Sequence, residues 1–312
     1  MDSSANGFLP VQHLVGAVAI ITGGSNGIGA QTVKLFSSLG SNVIIADLAC
    51  TAGDAEELIA SLSHPETAMF FPTNILSWGE MKLLFKRTIE NFGRVDIVIA
   101  NAGIMESESV FDLGAVDSEG ELRESTEGFG VLDVNLKGTL NTLRLALYHM
   151  QRNKPRAQDS CRGSVILITS TSGYFGSSGV GAYVASKHGL VGLLRASQLT
   201  ARSIGVKVNA VAPFYTPTPT FSKLSDKWRA SGLKANTIDD VAKAIVQTCL
   251  ASASGRCVLV AGGLTREMEA TRSELISTWL GEDVAEILQT AGKLFAGGGY
   301  VLPDKRTEAL TG

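Results

Sequence analysis

The stretch that decides the fold is Thr22-Gly23-Gly24-Ser25-Asn26-Gly27-Ile28-Gly29. It follows an apolar run at residues 18–22 that is typical of a buried strand, and it leads into a segment of helical length that begins at Ala30. Glycines in this position let the backbone approach a pyrophosphate, and the helix N-terminus adds free N–H groups and the positive end of its dipole. The spacing is T-G-x-x-x-G-x-G rather than G-x-G-x-x-G, but the strand, turn and helix context indicates a dinucleotide-binding unit.

Seven short apolar or β-branched runs, counting the one at residues 18–22, alternate with segments of helical length. These runs lie at residues 18–22, 42–47, 68–72, 95–100, 164–170, 206–212 and 257–261. Several are apolar throughout, as expected of a parallel sheet that is covered by helices on both faces. The sequence therefore predicts an α/β fold, a doubly wound parallel seven-stranded sheet (Rossmann fold), in a single domain over residues 1–263.

Three segments interrupt this alternation. Residues 106–127 are rich in acidic residues, Ser and Gly, which predicts an exposed excursion. Residues 214–236 follow a strand end and contain two prolines and several aromatic residues, which predicts a mobile substrate lid. Residues 264–312 carry apolar positions at helical spacing, so we expect a C-terminal helical extension that packs on the core or on another subunit.

Composition excludes several classes of function. The chain has 312 residues, 45% apolar and 18% charged, with a net charge of −3 and no dense basic stripe, so nucleic acid is not an expected partner. Four scattered cysteines without a C-x-x-C motif indicate neither a metal site nor a disulfide framework. No apolar run approaches the ~18 residues of a membrane span, and residues 1–10 lack the pattern of a signal peptide. We therefore expect a cytoplasmic protein with no membrane partner.

Asp47 ends the second predicted strand, about 18 residues beyond Gly29, where an acid accepts hydrogen bonds from the adenosine ribose hydroxyls of a dinucleotide. An acid there repels a 2′-phosphate, and neither the glycine loop nor residues 48–51 contain Arg or Lys. NAD(H) is therefore favoured over NADP(H). The alternative is that Asp47 caps the next helix.

Tyr183-Val184-Ala185-Ser186-Lys187 places a phenol and an ammonium four residues apart, on one face of a helix. A tyrosine hydroxyl has a pKa near ~10, so a tyrosine base at neutral pH needs about 4 kcal/mol of preferential stabilisation of phenolate. Lys187 can supply part of it, and a cationic nicotinamide can supply more. By itself the pair also fits a half-buried tyrosine beside a lysine whose charged end reaches solvent.

These features, with Asn101-Ala102-Gly103 after the fourth strand, resemble the short-chain dehydrogenase/reductase family over about residues 16–263. In that family a catalytic serine lies thirteen residues before the tyrosine, and this chain has Ser170 there. A catalytic asparagine lies in a V-N-x-x-G setting, which here is Val134-Asn135-Leu136-Lys137-Gly138. The resemblance thus implies four catalytic residues, namely Asn135, Ser170, Tyr183 and Lys187.

The resemblance also implies a role for each of them. Tyr183 exchanges a proton with the substrate oxygen, and Ser170 hydrogen-bonds that oxygen. Lys187 lowers the pKa of the tyrosine and holds the nicotinamide ribose, while Asn135 fixes a water that connects Lys187 to solvent.

The cofactor-binding residues follow from the same resemblance, with two departures. Asn74 stands where the family usually has Asp to meet the adenine, and Phe214 stands where it usually has Gly after Pro213, which restricts that turn. The predicted set is Gly23, Ser25, Asn26, Gly27, Ile28, Gly29, Asp47, Leu48, Asn74, Ile75, Asn101, Ala102, Gly103, Tyr183, Lys187, Pro213, Thr216 and Thr218.

The expected activity is NAD-dependent transfer of hydride between a secondary alcohol or ketone of a fairly apolar small molecule and nicotinamide. A tailoring step of secondary metabolism would suit the extended loop at 106–127 and the tail at 264–312. The apolar preference rests on Phe214, Tyr215, Phe221 and Trp228, which can equally be core residues of the lid. Two alternatives remain open: a redox-silent dinucleotide-binding protein, and an isomerase or cyclase that uses the same pocket. Family members usually form dimers or tetramers, so we expect a homodimer or homotetramer.

Overall fold

The computed structural model describes residues 14–155, 161–176, 178–218 and 225–296. Within these ranges eight strands form one sheet in the order β3-β2-β1-β4-β5-β6-β7-β8. The strands are β1 Val18–Thr22, β2 Asn42–Asp47, β3 Ala68–Pro72, β4 Ile97–Ala100, β5 Gly163–Ile168, β6 Val206–Pro213, β7 Cys257–Ala261 and β8 Leu264–Glu267.

Helices connect the strands. They are α1 Gly27–Ser38, α2 Ala52–Ala60, α3 Trp78–Phe92, α4 Thr126–Leu132, α5 Thr139–Met150, α6 Ser172–Phe175, α7 Gly181–Ala196, α8 Gln198–Ser203, α9 Ser225–Ala230, α10 Ile238–Leu250, α11 Glu269–Glu274, α12 Ile276–Leu280 and α13 Glu282–Ala296. Two short 3₁₀ turns lie at Ala49–Thr51 and Pro65–Thr67, and a π-helical turn, Asp133–Gly138, joins α4 to α5. None of the described helices is long and apolar enough to cross a membrane.

The core lies on both faces of the sheet, because side chains along a strand alternate between the faces. Ile20 of β1 packs in a cluster with residues of α3, α5 and α7, such as Phe85. Its neighbour Ile21 packs in a second cluster with residues of α1, α2 and α10, such as Phe36. Adjacent strands from β1 to β7 are parallel. The predicted doubly wound α/β fold is confirmed.

The sheet has one strand more than the seven predicted. Residues 264–267, which we assigned to the start of the helical extension, form β8 and pair antiparallel with β7. Gly262 and Gly263 connect the two strands with φ values of +57° and +77°. Positive φ at both central residues is the signature of the two-residue turn that favours a hairpin, so the glycine pair explains the extra strand.

The chain divides into two compact units, Met1–Glu269 and Ala270–Gly312. The first contains the whole sheet, and the described part of the second contains α12 and α13. The boundary that we predicted at residue 263 stays a prediction, as does the lid at 214–236, part of which is formed by α9. Phe221 of the predicted lid lies outside the described residues, as do the two ends of the chain, 1–13 and 297–312.

Strand order determines where a ligand binds in such a sheet. The chain runs outward from β1 through β2 to β3, and then returns to place β4 on the other side of β1. Helices that follow neighbouring strands therefore lie on opposite faces at this point, which leaves a crevice at the carboxyl ends of β1 and β4. The glycine loop and Asn101-Ala102-Gly103 both begin at this crevice.

Candidate active site

The glycine loop turns directly from β1 into α1. A Cβ atom on Gly23 would lie 2.8 Å from the Cα of Ala102, and one on Gly29 would collide with the carbonyl oxygen of Gly23. Because Gly23 has no side chain, the loop can lie against the chain at the end of β4. Because Gly29 has none, α1 can begin next to β1. The N-cap of α1, Asn26, makes no side-chain capping hydrogen bond, so the first turn keeps N–H donors for an anion.

Asp47 ties the end of β2 to this loop. Its Oδ2 accepts a hydrogen bond from the main-chain N–H of Ser25 at 3.0 Å, and its Oδ1 accepts one from Leu48 N at 2.8 Å. Thr51 Oγ1 donates to Ser25 Oγ at 3.0 Å and closes the same corner. The helix-capping alternative for Asp47 is not observed, since the N-cap of α2 is Thr51.

Asn101 joins β4 to the glycine loop. Its Nδ2 donates to the carbonyl oxygens of Thr22 and Gly23 at 3.0 and 2.9 Å. The main-chain N–H groups of Asn101 and Ala102 donate in turn to Thr22 Oγ1 at 3.0 and 3.2 Å. A Cβ on Gly103 would lie 3.1 Å from Asn135 Oδ1 and 3.6 Å from Lys187 Nζ, so this segment reaches from the loop to the predicted catalytic residues.

The remaining predicted cofactor contacts lie on two sides of the crevice. Asn74 Oδ1 accepts from Leu76 N at 2.9 Å, which commits its oxygen to the chain and leaves its amide donors. Ile75 is buried and occupies the space that a side chain at Gly138 would need. On the other side, the methyl group of Thr218 would lie 3.5 Å from a Cβ on Gly27, so Thr218 borders the glycine loop.

Asn135 lies in the π-helical turn, a feature that is frequent at functional sites. Its Oδ1 accepts from Ile104 N at 2.8 Å, and its Nδ2 donates to Ile104 O at 2.9 Å and to Ser186 Oγ at 3.0 Å. Both amide N–H donors are therefore used. The side chain links the segment after β4 to α7, which carries Tyr183 and Lys187.

Ser170, Tyr183 and Lys187 meet at the carboxyl end of β5. Ser170 Oγ donates to Pro213 O at 3.4 Å, accepts from Ser172 N at 3.1 Å and shares a hydrogen bond with the Tyr183 phenol. Lys187 lies one turn after Tyr183, with its Nζ 5.5 Å from the ring centroid of the tyrosine. The same Nζ donates to Ile168 O, at the end of β5, at 2.9 Å.

Burial dominates the electrostatics of this group. It raises the pKa of Tyr183, the hydrogen bond with Ser170 lowers that pKa, and the negative charge of Glu106 raises it. Burial also lowers the pKa of the Lys187 ammonium to about 8. Within the protein, the tyrosine pKa therefore moves opposite to the depression that we expected from the lysine, because removal from water disfavours the charged phenolate.

Glu106 is the residue at this site that sequence reasoning missed. We assigned it to an exposed excursion, but it is only 7% exposed. Its carboxylate accepts hydrogen bonds from Ala182 N at 2.9 Å and from Tyr183 N at 3.0 Å. No pattern in the sequence announces this contact, since it joins residues 76 positions apart.

The aromatic residues of the predicted lid divide between core and surface. Tyr215 is buried, with its ring centroid 4.5 Å from that of Trp228. Phe214 also contacts Trp228, at 5.2 Å, but stays 44% exposed directly after Pro213, the residue that Ser170 hydrogen-bonds. Thr216 is buried, and its Oγ1 donates to Phe214 O at 3.0 Å. Of the described aromatic residues at 214–236, Phe214 is the one exposed beside the site.

Comparison with known proteins shows which family the chain is similar to. A sequence model of the family described as short chain dehydrogenase matches residues 17–229. Short-chain dehydrogenase/reductase prx4 of Penicillium roqueforti is 31% identical over 291 residues, covering 87% of this chain and 82% of that protein. The 3-hydroxyacyl-CoA dehydrogenase type-2 of Homo sapiens is 31% identical over 212 residues, covering 68% and 78%. Among solved structures, the 3-ketoacyl-(acyl-carrier-protein) reductase of Brucella melitensis complexed with NADH has a TM-score of 0.69 at 25% identity, covering 80% and 98%.

Proposed function

The chain belongs to the short-chain dehydrogenase/reductase family, and on that premise we propose that it is an NAD-dependent oxidoreductase that interconverts a secondary alcohol and the corresponding ketone of a fairly apolar small molecule. The observation that carries the proposal is the meeting of Ser170, Tyr183 and Lys187 at the carboxyl end of β5. This group lies beside Gly103, and thus next to the crevice that the glycine loop borders. A proton-transfer group next to a dinucleotide site is what hydride transfer at a carbinol carbon requires.

Tyr183 is the general acid/base in this proposal. It removes the hydroxyl proton when the alcohol is oxidised and returns a proton to the carbonyl oxygen when the ketone is reduced. Ser170 hydrogen-bonds the same substrate oxygen, and the Lys187 ammonium stabilises the phenolate against the effect of burial. When bound, the nicotinamide supplies the hydride acceptor or donor. Asn135 holds α7 in place through Ser186.

The preference for NAD(H) is supported by Asp47. Both of its oxygens are held by main-chain N–H groups, one of them in the glycine loop, so the carboxylate is fixed at the ribose end of the proposed cofactor site. A 2′-phosphate in that position would face this negative charge, and neither residues 22–29 nor residues 48–51 contain a cation to compensate it. The residues of the glycine loop and α1 fit the pyrophosphate of either cofactor.

Phe214 supports the apolar substrate class. Its ring is partly exposed next to Pro213, whose carbonyl oxygen accepts a hydrogen bond from Ser170. An aromatic surface beside a proton-transfer group favours an apolar substituent next to the reacting carbon. We further propose a homodimer or homotetramer, as the family resemblance implies, in the cytoplasm. A tailoring step of secondary metabolism suits the long excursion at 106–127 and the long tail at 264–312.

The test is a panel of secondary alcohols and ketones, followed through the absorbance of NADH, with NADP(H) in parallel. We expect turnover with NAD(H), and a loss of at least ~10²-fold in Tyr183→Phe. Activity with NADP(H) alone would contradict the argument from Asp47. Full turnover in Tyr183→Phe, or NADH binding without turnover on any compound, would favour the redox-silent alternative. Product formation at constant NADH absorbance would identify an isomerase or cyclase.

A further inference from the structure

The catalytic helix α7 has no cap of its own. Its N-cap is Val180, whose side chain has no hydrogen-bond acceptor, and no side-chain capping bond is made there. The first N–H groups of any helix need partners from outside it. Here Glu106, in the segment after β4, accepts from Ala182 N at 2.9 Å and from Tyr183 N at 3.0 and 3.3 Å. A carboxylate at this end of a helix also interacts favourably with the helix dipole.

We propose that Glu106 is a positioning residue: its carboxylate holds the first turn of the helix that carries Tyr183, and its charge acts on the phenol against that of Lys187. This inference rests on the proposed role of Tyr183 as the general acid/base. It also assigns a role to the start of the excursion at 106–127, which continues directly from Glu106.

Packing around the first turn of α7 supports the positioning role. A Cβ on Gly181 would lie 2.7 Å from Phe111 Cε2 and 2.8 Å from Val110 Cγ2, so both side chains lie against the bare backbone of the helix start. Ser107 is held separately, because its N–H and its hydroxyl both donate to Glu127 of α4 at 2.9 Å. The excursion thus contacts α7 through Glu106 and its apolar residues, and contacts α4 through Glu127.

The charge effect follows from burial. Glu106 is shielded from solvent, so water and salt screen its field at Tyr183 only weakly. Lys187, one turn further along α7, faces the same ring with the opposite charge. The groups that contact Tyr183 or its helix from the end of β5 and from the π-helical turn, Ser170 and Asn135, are neutral.

Other titratable side chains on elements packed against α7 have a smaller effect, because they are exposed or already paired. They are Glu127 on α4, which is exposed; Asp133 and Lys137 in the π-helical turn, an exposed pair; Tyr174 in α6, which is hydrogen-bonded to Glu269; Arg202 on α8, which is exposed; and Lys207 on β6, which donates to Ala251 O. Glu106 therefore favours the protonated phenol, the form that donates a proton during reduction, and Lys187 favours the phenolate.

The variant that separates charge from shape is Glu106→Gln, which keeps the size and an acceptor oxygen but removes the charge. Glu127→Gln is the matched control, since that carboxylate accepts from Ser107 and Glu108 of the same segment, whereas Glu106 accepts from the first turn of α7. The first measurement is the ionisation of Tyr183, followed by NMR of isotopically labelled tyrosine and assigned by comparison with Tyr183→Phe. The second is the pH profile of alcohol oxidation, and the third is the thermal unfolding midpoint.

We expect Glu106→Gln to lower the pKa of Tyr183 by roughly half a unit or more, and to move the acidic limb of the oxidation profile to lower pH by the same amount. Glu127→Gln should leave both unchanged. An unchanged tyrosine titration in folded Glu106→Gln would overturn the proposal, as would an equal change in Glu127→Gln. If Glu106→Gln does not fold, Glu106→Asp tests the positioning role. This variant keeps the charge but has a shorter side chain, so kcat should fall while the KM for NADH stays constant. Retention of full kcat in Glu106→Asp would then refute the positioning role.

The titration needs no turnover, so it is independent of the proposed function. A wild-type protein that oxidises none of the alcohols but whose Tyr183 responds to Glu106→Gln would overturn the function and support the role of Glu106. An active wild-type enzyme whose Tyr183 titration did not change in Glu106→Gln would support the proposed function and overturn the role of Glu106.

Discussion

Replacement of Lys187 by Met is expected to stabilise the fold while abolishing turnover. Lys187 is 5% exposed, and burial lowers the pKa of its ammonium from 10.5 to about 8. A fall of about 2.5 in a pKa corresponds to about 3 kcal/mol of destabilisation at neutral pH. Against this, the variant loses the hydrogen bond to Ile168 O and leaves that carbonyl without the ammonium, which costs about 1.5 kcal/mol. The net expectation is a gain of about 1–2 kcal/mol in the free energy of unfolding.

The pH dependence of the stability difference separates this electrostatic effect from a change in packing. Since the folded-state pKa of Lys187 lies below the unfolded value, the destabilisation is fully present below about pH 8 and is lost as the pH rises toward 10.5. Wild-type stability should therefore rise relative to that of Lys187→Met through this window. The advantage of the variant should vanish near about pH 9.5, where the remaining destabilisation by the ammonium, about 1.4 kcal/mol, equals the cost of the lost hydrogen bond.

The assay is urea unfolding of wild type and Lys187→Met at neutral pH and at about pH 9.5, with turnover measured on the same samples. Lys86→Met is the control, because that side chain is 71% exposed and should change stability by less than about 0.5 kcal/mol. The reasoning would be refuted if Lys187→Met were less stable than wild type at neutral pH, or if the difference between them did not depend on pH. Such a gain in stability with loss of activity is the trade-off expected of a functional residue that is costly to bury.

Two further substitutions, each with its control, test the packing of the glycine loop and of the sheet edge. Gly29→Ala should destabilise the protein by about 1–3 kcal/mol and weaken NADH binding at least about tenfold, because the new methyl group collides with Gly23 O. Gly53→Ala in α2, where a Cβ meets nothing within 4 Å, should be neutral or stabilising in the same urea and NADH titrations. Arg195→Met should lower stability by about 2–4 kcal/mol, since it leaves buried Glu269 without its bidentate partner at 2.8 Å. Arg256→Met, which breaks a looser 3.5 Å pair, should cost less than about 1 kcal/mol in a thermal melt.

Elements whose signal is local could be predicted from the sequence. The strands of the doubly wound sheet were visible as short apolar runs, since a strand covered on both faces has no polar side. The glycine loop was recognisable because backbone approach at Gly23 and Gly29 requires the absence of side chains, whatever the rest of the chain does. Spacing along α7 likewise placed Tyr183 and Lys187 on one face.

Features that depend on contacts between distant segments were not predictable. The eighth strand needs an edge of the sheet on which to pair, and we read Gly262-Gly263 as the end of the domain rather than as a turn. The amide oxygen of Asn74 is taken up by Leu76, which no residue pattern announced. The direction of the Tyr183 pKa depends on burial, and burial of a single phenol is decided by the whole fold.

Six residues after β4 connect the two halves of the candidate site. At one end, Asn101 holds the glycine loop through Thr22 and Gly23. At the other, Glu106 holds the first turn of α7. Because the chain between them is short and is itself bonded to Asn135 through Ile104, one hydrogen-bonded stretch of backbone sets the distance between the glycine loop and α7. A displacement of Glu106 would therefore change the position of Tyr183 relative to the glycine loop as well as the charge that Tyr183 experiences. For this reason kcat should be more sensitive than cofactor affinity to substitutions at position 106.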